Sequence, residues 1–158
     1  MHSKADQLEL IGLMAANESA VAEIYEACAK LYPPRAKLFK KLTEAEHEHA
    51  RSITGFSMKV KEGLARIPPD RLDAEVVMDS LDHVQELLKQ VRQGGMEVEE
   101  ALAKCAELEE TLLEKHCFDV METDSPDLKL LLGKLSADTA EHREELRRAR
   151  EGEGGSSD

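Results

Sequence analysis

The sequence predicts an all-α fold, an antiparallel four-helix bundle with an additional crossover helix between its second and third helices. Three observations predict it. Aromatic residues make up only 3% of the 158 residues while hydrophobic residues make up 41%, a balance that favours helix over strand. Apolar side chains recur at three- and four-residue spacing through long segments. Paired breakers, Pro33-Pro34, Pro68-Pro69 and Gly94-Gly95, separate those segments.

The first helix is expected from about Lys4 to Leu31, with Ser3 as its N-cap. Its inward stripe is Ile11, Met14, Glu18, Val21, Tyr25, Cys28 and Tyr32. Pro33-Pro34 ends it and opens a second helix, expected to run to about Glu62. So short a link makes the two helices antiparallel neighbours. The crossover helix is placed at about 71–92, with Leu72, Val76, Leu81, Val84, Leu87, Leu88 and Val91 on one face. It is expected to cover the bundle or to form a subunit interface. The third bundle helix is expected from about Glu97 to Met121. Ser125 and Pro126 then fit the cap and first turn of a fourth, running to about Glu151 with Leu128, Leu131, Leu132, Leu135, His142 and Leu146 inward. The domain therefore spans 1–151, and the Gly/Ser-rich end, 152–158, is expected to be disordered.

Composition bounds the function. The net charge of −12 disfavours nucleic acid and anionic membrane as partners. No apolar run is long enough to span a bilayer. The N-terminus lacks a secretory apolar region. The three cysteines, Cys28, Cys105 and Cys117, form no C-x-x-C pair, so a thiolate metal site is not expected and a cytoplasmic setting is. They read as small core residues, with Cys117 partly exposed.

The apolar stripes are interrupted by ionisable residues. Glu18 stands among Met14, Ala15, Val21 and Ala22. Glu46 and His49 lie three apart, on the face that carries Leu38, Leu42, Ile53 and Phe56. A second pair in that register, Glu44 and His47, falls off the stripe and is expected in solvent. Glu109 is flanked at one-turn spacing by Cys105, Ala106, Leu112 and Leu113; Glu110 is the alternative. In the fourth helix His142 is inward. Asp138, four residues earlier, shares its face, and Thr139 stands three residues earlier. A buried charge is costly unless paired or bound to a metal. Four helices thus direct Glu18, Glu46, His49, Glu109 and His142 toward one layer, with Asp138 or Thr139 in a sixth place. Glu-x-x-His on a bundle helix is half of a carboxylate-bridged di-metal site. Oxygen and nitrogen donors without thiolate suit iron, with manganese as the alternative. The two halves of the chain also echo one another: Glu18, Tyr25, Glu46 and His49 are matched by Glu109, His116, Thr139 and His142.

On these residues the chain resembles the rubrerythrin branch of the ferritin-like superfamily. The resemblance rests on Glu18 with Tyr25, Glu46-x-x-His49-Ala50, Glu109 and His142, and covers nearly the whole chain. It implies a non-haem di-iron centre that reacts with hydrogen peroxide or dioxygen, or that oxidises ferrous iron. It implies Glu18, Glu46, His49, Glu109 and His142 as ligands, and Tyr25 as a hydrogen-bond donor to a ligand carboxylate. The sequence departs from that family at Thr139, where a glutamate is expected. Asp138 then substitutes as ligand, or one metal position is weakened and a single ion is held. His116 stands where a second tyrosine is common, either as a replacement ligand or as a buried residue behind the ligands. No rubredoxin-like module is present, so electrons for a peroxidase cycle would come from a separate donor. Homodimerisation is an expectation from the fold alone.

Three functions compete: a di-metal oxidoreductase, an iron-binding or single-metal protein without turnover, and a metal-free structural bundle. Two metals per chain favour the first, one the second, none the third.

Overall fold

The computed structural model describes residues 3–111, 116 and 118–152. Among these the protein is all-α, apart from one short antiparallel strand pair. Helix α1 spans Lys4–Leu31 and α2 spans Ala36–Lys61, joined by a single turn of 3₁₀ helix at Pro33–Arg35. Helix α3 spans Ala74–Gln93, α4 spans Val98–Glu109 and α5 spans Pro126–Arg150. Strand β1, Ala65–Arg66, pairs with strand β2, Glu122–Thr123.

The helix ends follow local chemistry. Ser3 and Asp6 form a reciprocal capping box that satisfies two backbone N–H groups at the start of α1. Asp73 caps α3 by accepting from the N–H of Glu75, and Ser125 caps α5 by accepting from the N–H of Leu128. Gly63 and Gly94 follow α2 and α3 with φ of 79° and 80°, a conformation that costs glycine nothing and other residues more.

Helix α1 is the hub, packed along α2 and against α3. Its stripe Ile11, Met14, Glu18, Val21, Tyr25 and Cys28 is buried. Helix α3 covers the domain with Val77, Val84, Leu87, Leu88 and Val91, and α4 packs on α5. Phe39 stacks with Tyr25 at a ring centroid distance of 6.3 Å and packs at a tilt against Tyr32 at 6.4 Å. The Tyr32 hydroxyl donates to the carbonyl of Met96 at 2.8 Å, tying the end of α1 to the α3–α4 link.

The apolar core falls into two clusters. One holds Val21, Tyr25, Phe39, Leu42, Leu108 and Leu146. The other holds Ile11, Met14, Ile53, Phe56, Leu132 and Leu135. Along α1, α2 and α5 the change from one cluster to the other falls at the level of Glu18, of Glu46 and His49, and of Thr139 and His142.

Several sequence expectations need correction. The third bundle helix was expected to reach Met121, but α4 ends at Glu109. The N–H of Glu110 turns back onto the carbonyls of Ala106, Glu107 and Leu108. Downstream, Phe118, Val120 and Met121 are buried outside any helix, and the following strand pairs with β1. Burial and pairing of this segment override the helix propensity of its residues. Leu131 and Val76 are 38% and 43% exposed. Their neighbours Leu132 and Val77 take the inward positions, because one residue rotates a helix face by about 100°. Cys117 and the terminal residues 153–158 lie outside the described residues.

Two leucines close in sequence test this register. Leu135→Ala should cost about 2–5 kcal/mol, the range for emptying a buried leucine site. Leu130, 77% exposed, should tolerate alanine within about 0.5 kcal/mol. Urea unfolding midpoints at unchanged slope measure both. Equal losses would overturn the assigned face of α5.

Candidate metal centre

The interface between the two core clusters is polar. Glu18 comes from α1, Glu46 and His49 from α2, and Glu109 from the last turn of α4, each no more than 3% exposed. Potential ligand atoms of Glu18, Glu46 and His49 all lie within 4.8 Å of one another. Two donors bound about 2.1 Å from one cation lie at most about 4.2 Å apart, so modest side-chain adjustment brings this set to ligation distance. The Nδ1 of His49 is 3.7 Å from Glu46 Oε2. The His142 ring, from α5, sits with its centroid 6.0 Å from that of His49. Its Nδ1 is buried and has no hydrogen-bond partner among the described residues.

Glu109 closes the layer from the α4 side. Tyr25 donates its phenol proton to Glu109 Oε1 at 2.5 Å, and the Glu109 carboxyl is also hydrogen-bonded to that of Glu46. Burial raises Glu109 above the usual carboxylate range. The hydrogen bonds of Tyr25 and Glu46, with the charges of His49 and Arg143, oppose that rise. Burial, and then the Glu109 charge, push the Tyr25 phenol well above its usual value, so it stays a donor. Burial lowers both His49 and His142, which favours the neutral imidazoles that metals bind.

The remaining candidates divide. Asp138 is half-buried, and its negative charge acts on both His49 and His142, which places it at the edge of the layer. Thr139 is buried, with its hydroxyl donated to the carbonyl of Leu135 at 2.9 Å. Glu110 is exposed, 3.9 Å from Arg143, so Glu109 is the inward member of that pair. His116 corrects the sequence reading of a residue inside the layer. Its side chain is 49% exposed, with Nδ1 2.9 Å from Asp119 Oδ2. The helix that would have carried it onto the inward face stops at Glu109, and the echo between the halves ends there.

Two neighbours of the site were not legible beforehand. Phe118 packs edge-on against His49 at 5.4 Å between ring centroids. It also lines a surface cleft of about 400 Å³ with Asp119, Lys129 and Gly133. Asn17, fully buried beside Glu18, accepts from the Ser80 hydroxyl at 3.0 Å. A polar residue next to Glu18 was the available signal for Asn17. Phe118 carried none, because its placement depends on the break after α4.

The donor chemistry fits a divalent cation. Carboxylates and neutral imidazoles converge, no thiol is among them within the described residues, and the buried Nδ1 of His142 has no hydrogen-bond partner there. No family model, curated protein or solved structure matches this chain. No helix among the described residues is long and apolar enough to cross a membrane.

The carboxyl pair sets a pH dependence. With its folded value raised, ionised Glu109 costs stability at neutral pH, and the cost disappears as pH falls through the raised value. Glu109→Gln, which cannot ionise, should therefore stabilise the metal-free chain at neutral pH. The gain should vanish at the lower end of the carboxylate range. Thermal unfolding between pH 4 and 8 reads this out, and a gain independent of pH would contradict the assignment.

Proposed function

We propose that this protein is a non-haem di-metal oxidoreductase of rubrerythrin-like type, built on a ferritin-like bundle of α1, α2, α4 and α5 with α3 as the crossover. Iron is the preferred metal and manganese the alternative. Hydrogen peroxide, dioxygen or ferrous iron is the small substrate. One observation carries the reading: Glu18, Glu46, His49, Glu109 and His142 meet where the apolar core is interrupted.

Bound iron would supply one-electron redox chemistry to a small oxidant. The chain's part is to hold it and to manage protons. Glu109, raised by burial, would give up its proton to become a ligand beside Glu46. Tyr25 donates to Glu109 Oε1, which fixes the orientation of a carboxylate that would hold the metal. His49 and His142 offer neutral nitrogen donors. Asp138, whose charge acts on both His49 and His142, would replace the glutamate missing at Thr139. Phe118 covers His49 and limits the approach of water from the cleft.

A second reading, a single-metal protein without turnover, has its own support. Thr139 spends its hydroxyl on Leu135 and contributes no charge, so α5 holds fewer anionic donors than α2. The metal-free structural bundle would leave the interruption of the core with hydrogen bonds as its only purpose.

Anaerobic loading with ferrous iron separates these readings. Two ions per chain, reduced by Glu46→Ala and by Asp138→Ala, are expected for the di-metal site. One ion, unchanged in Asp138→Ala, would establish the single-metal protein instead. No ion in any variant would sink both.

Proton competition provides another test. A cation must displace the proton that the raised Glu109 carboxyl holds, so metal affinity should rise with pH. Glu109→Gln should bind more weakly and with a shallower slope. Titration with manganese at several pH values, followed by calorimetry, measures it; identical slopes would place Glu109 outside the ligand set.

A further inference from the structure

Cys28 and Cys105 are free thiols, 0% and 1% exposed. They come from different helices, α1 and α4, and the Cys105 thiol is hydrogen-bonded to that of Cys28. Cys28 lies one turn beyond Tyr25 on α1, and Cys105 lies one turn before Glu109 on α4. The thiol pair therefore sits beside the Tyr25–Glu109 bond and joins the same two helices. The electrostatic influence of Cys105 reaches both Tyr25 and Glu109.

We propose that Cys28 and Cys105 are a redox-active dithiol that stores two electrons for the adjacent metal centre and closes into a disulfide between α1 and α4. This rests on the di-metal reading above. Two S–H bonds break and one S–S bond forms. Bound iron would pass the two electrons on to the oxidant. When hydrogen peroxide is the oxidant, the two protons end in the two waters that it yields. The sum is one peroxide and two thiols giving one disulfide and two waters.

The surroundings favour this route over direct attack. A thiol reacts with peroxide as the thiolate, and needs access to it. Both sulfurs are closed to solvent. The hydrogen bond to Cys28, and then burial, hold the Cys105 thiol well above its usual value. Electrons can leave this pair through the neighbouring site more readily than peroxide can enter. The dithiol would also give the chain an internal electron reserve.

The full chain, loaded anaerobically with ferrous iron, is treated with one equivalent of hydrogen peroxide, then alkylated under denaturing conditions and mapped by peptide mass. The iron-free chain and Cys117→Ser are treated alike. In the iron-loaded chain and in Cys117→Ser, two thiols should be lost to a Cys28–Cys105 disulfide. In the iron-free chain all thiols should alkylate. Ferrous iron recovered after peroxide, read with a chelator, should fall to near zero in Cys28→Ala and in Cys105→Ala. Iron oxidation with every thiol still alkylated would overturn the proposal. So would a disulfide formed equally without iron, or one that uses Cys117. Metal content of the same samples distinguishes these results from a chain that binds no iron, which would overturn the di-metal reading and this proposal with it.

Discussion

Burial of Glu109 beside Glu46 is the interaction on which the rest of the centre depends. A carboxylate in an apolar core is unfavourable by itself, and two side by side are worse. The fold offsets this with the Tyr25 phenol from α1, the hydrogen bond to Glu46 of α2 and the nearby charge of Arg143. Those contacts tie three helices together at one level. They still leave two carboxyls buried side by side, a burden that the proposed cation would relieve.

That level coincides with the division of the hydrophobic core. Were the layer apolar, the two clusters would merge and the protein would gain burial. Replacing buried polar networks with apolar groups is often neutral or stabilising. A core that keeps five ionisable residues where four helices meet forgoes that gain, and the metal binding proposed above would restore it. The placement of Cys28 and Cys105 one turn away extends the same logic to groups that can exchange electrons rather than protons.

Much of this was legible in the chain. Glu18, Glu46 and His49 each interrupt a regular apolar stripe, and periodicity alone puts them inside. Glu109 was separable from Glu110 by its neighbours at one-turn spacing. Thr139 and Asp138 were legible as residues but not as roles. Only the backbone hydrogen bond of the Thr139 hydroxyl and the partial burial of Asp138 distinguish them.

Local sequence determined the helical class, the caps at Ser3, Asp73 and Ser125, and the breaks at Pro33-Pro34 and Gly94-Gly95, because these depend on residues within one or two turns. Tertiary structure decided where α4 stops, that Ala65–Arg66 pairs with Glu122–Thr123, that Phe118 covers His49, and that His116 faces solvent beside Asp119. Each of those is a contact between segments distant along the chain or a consequence of one. Helical periodicity has no knowledge of such contacts, and burial of Phe118, Val120 and Met121 outweighed the propensity that would have continued the helix.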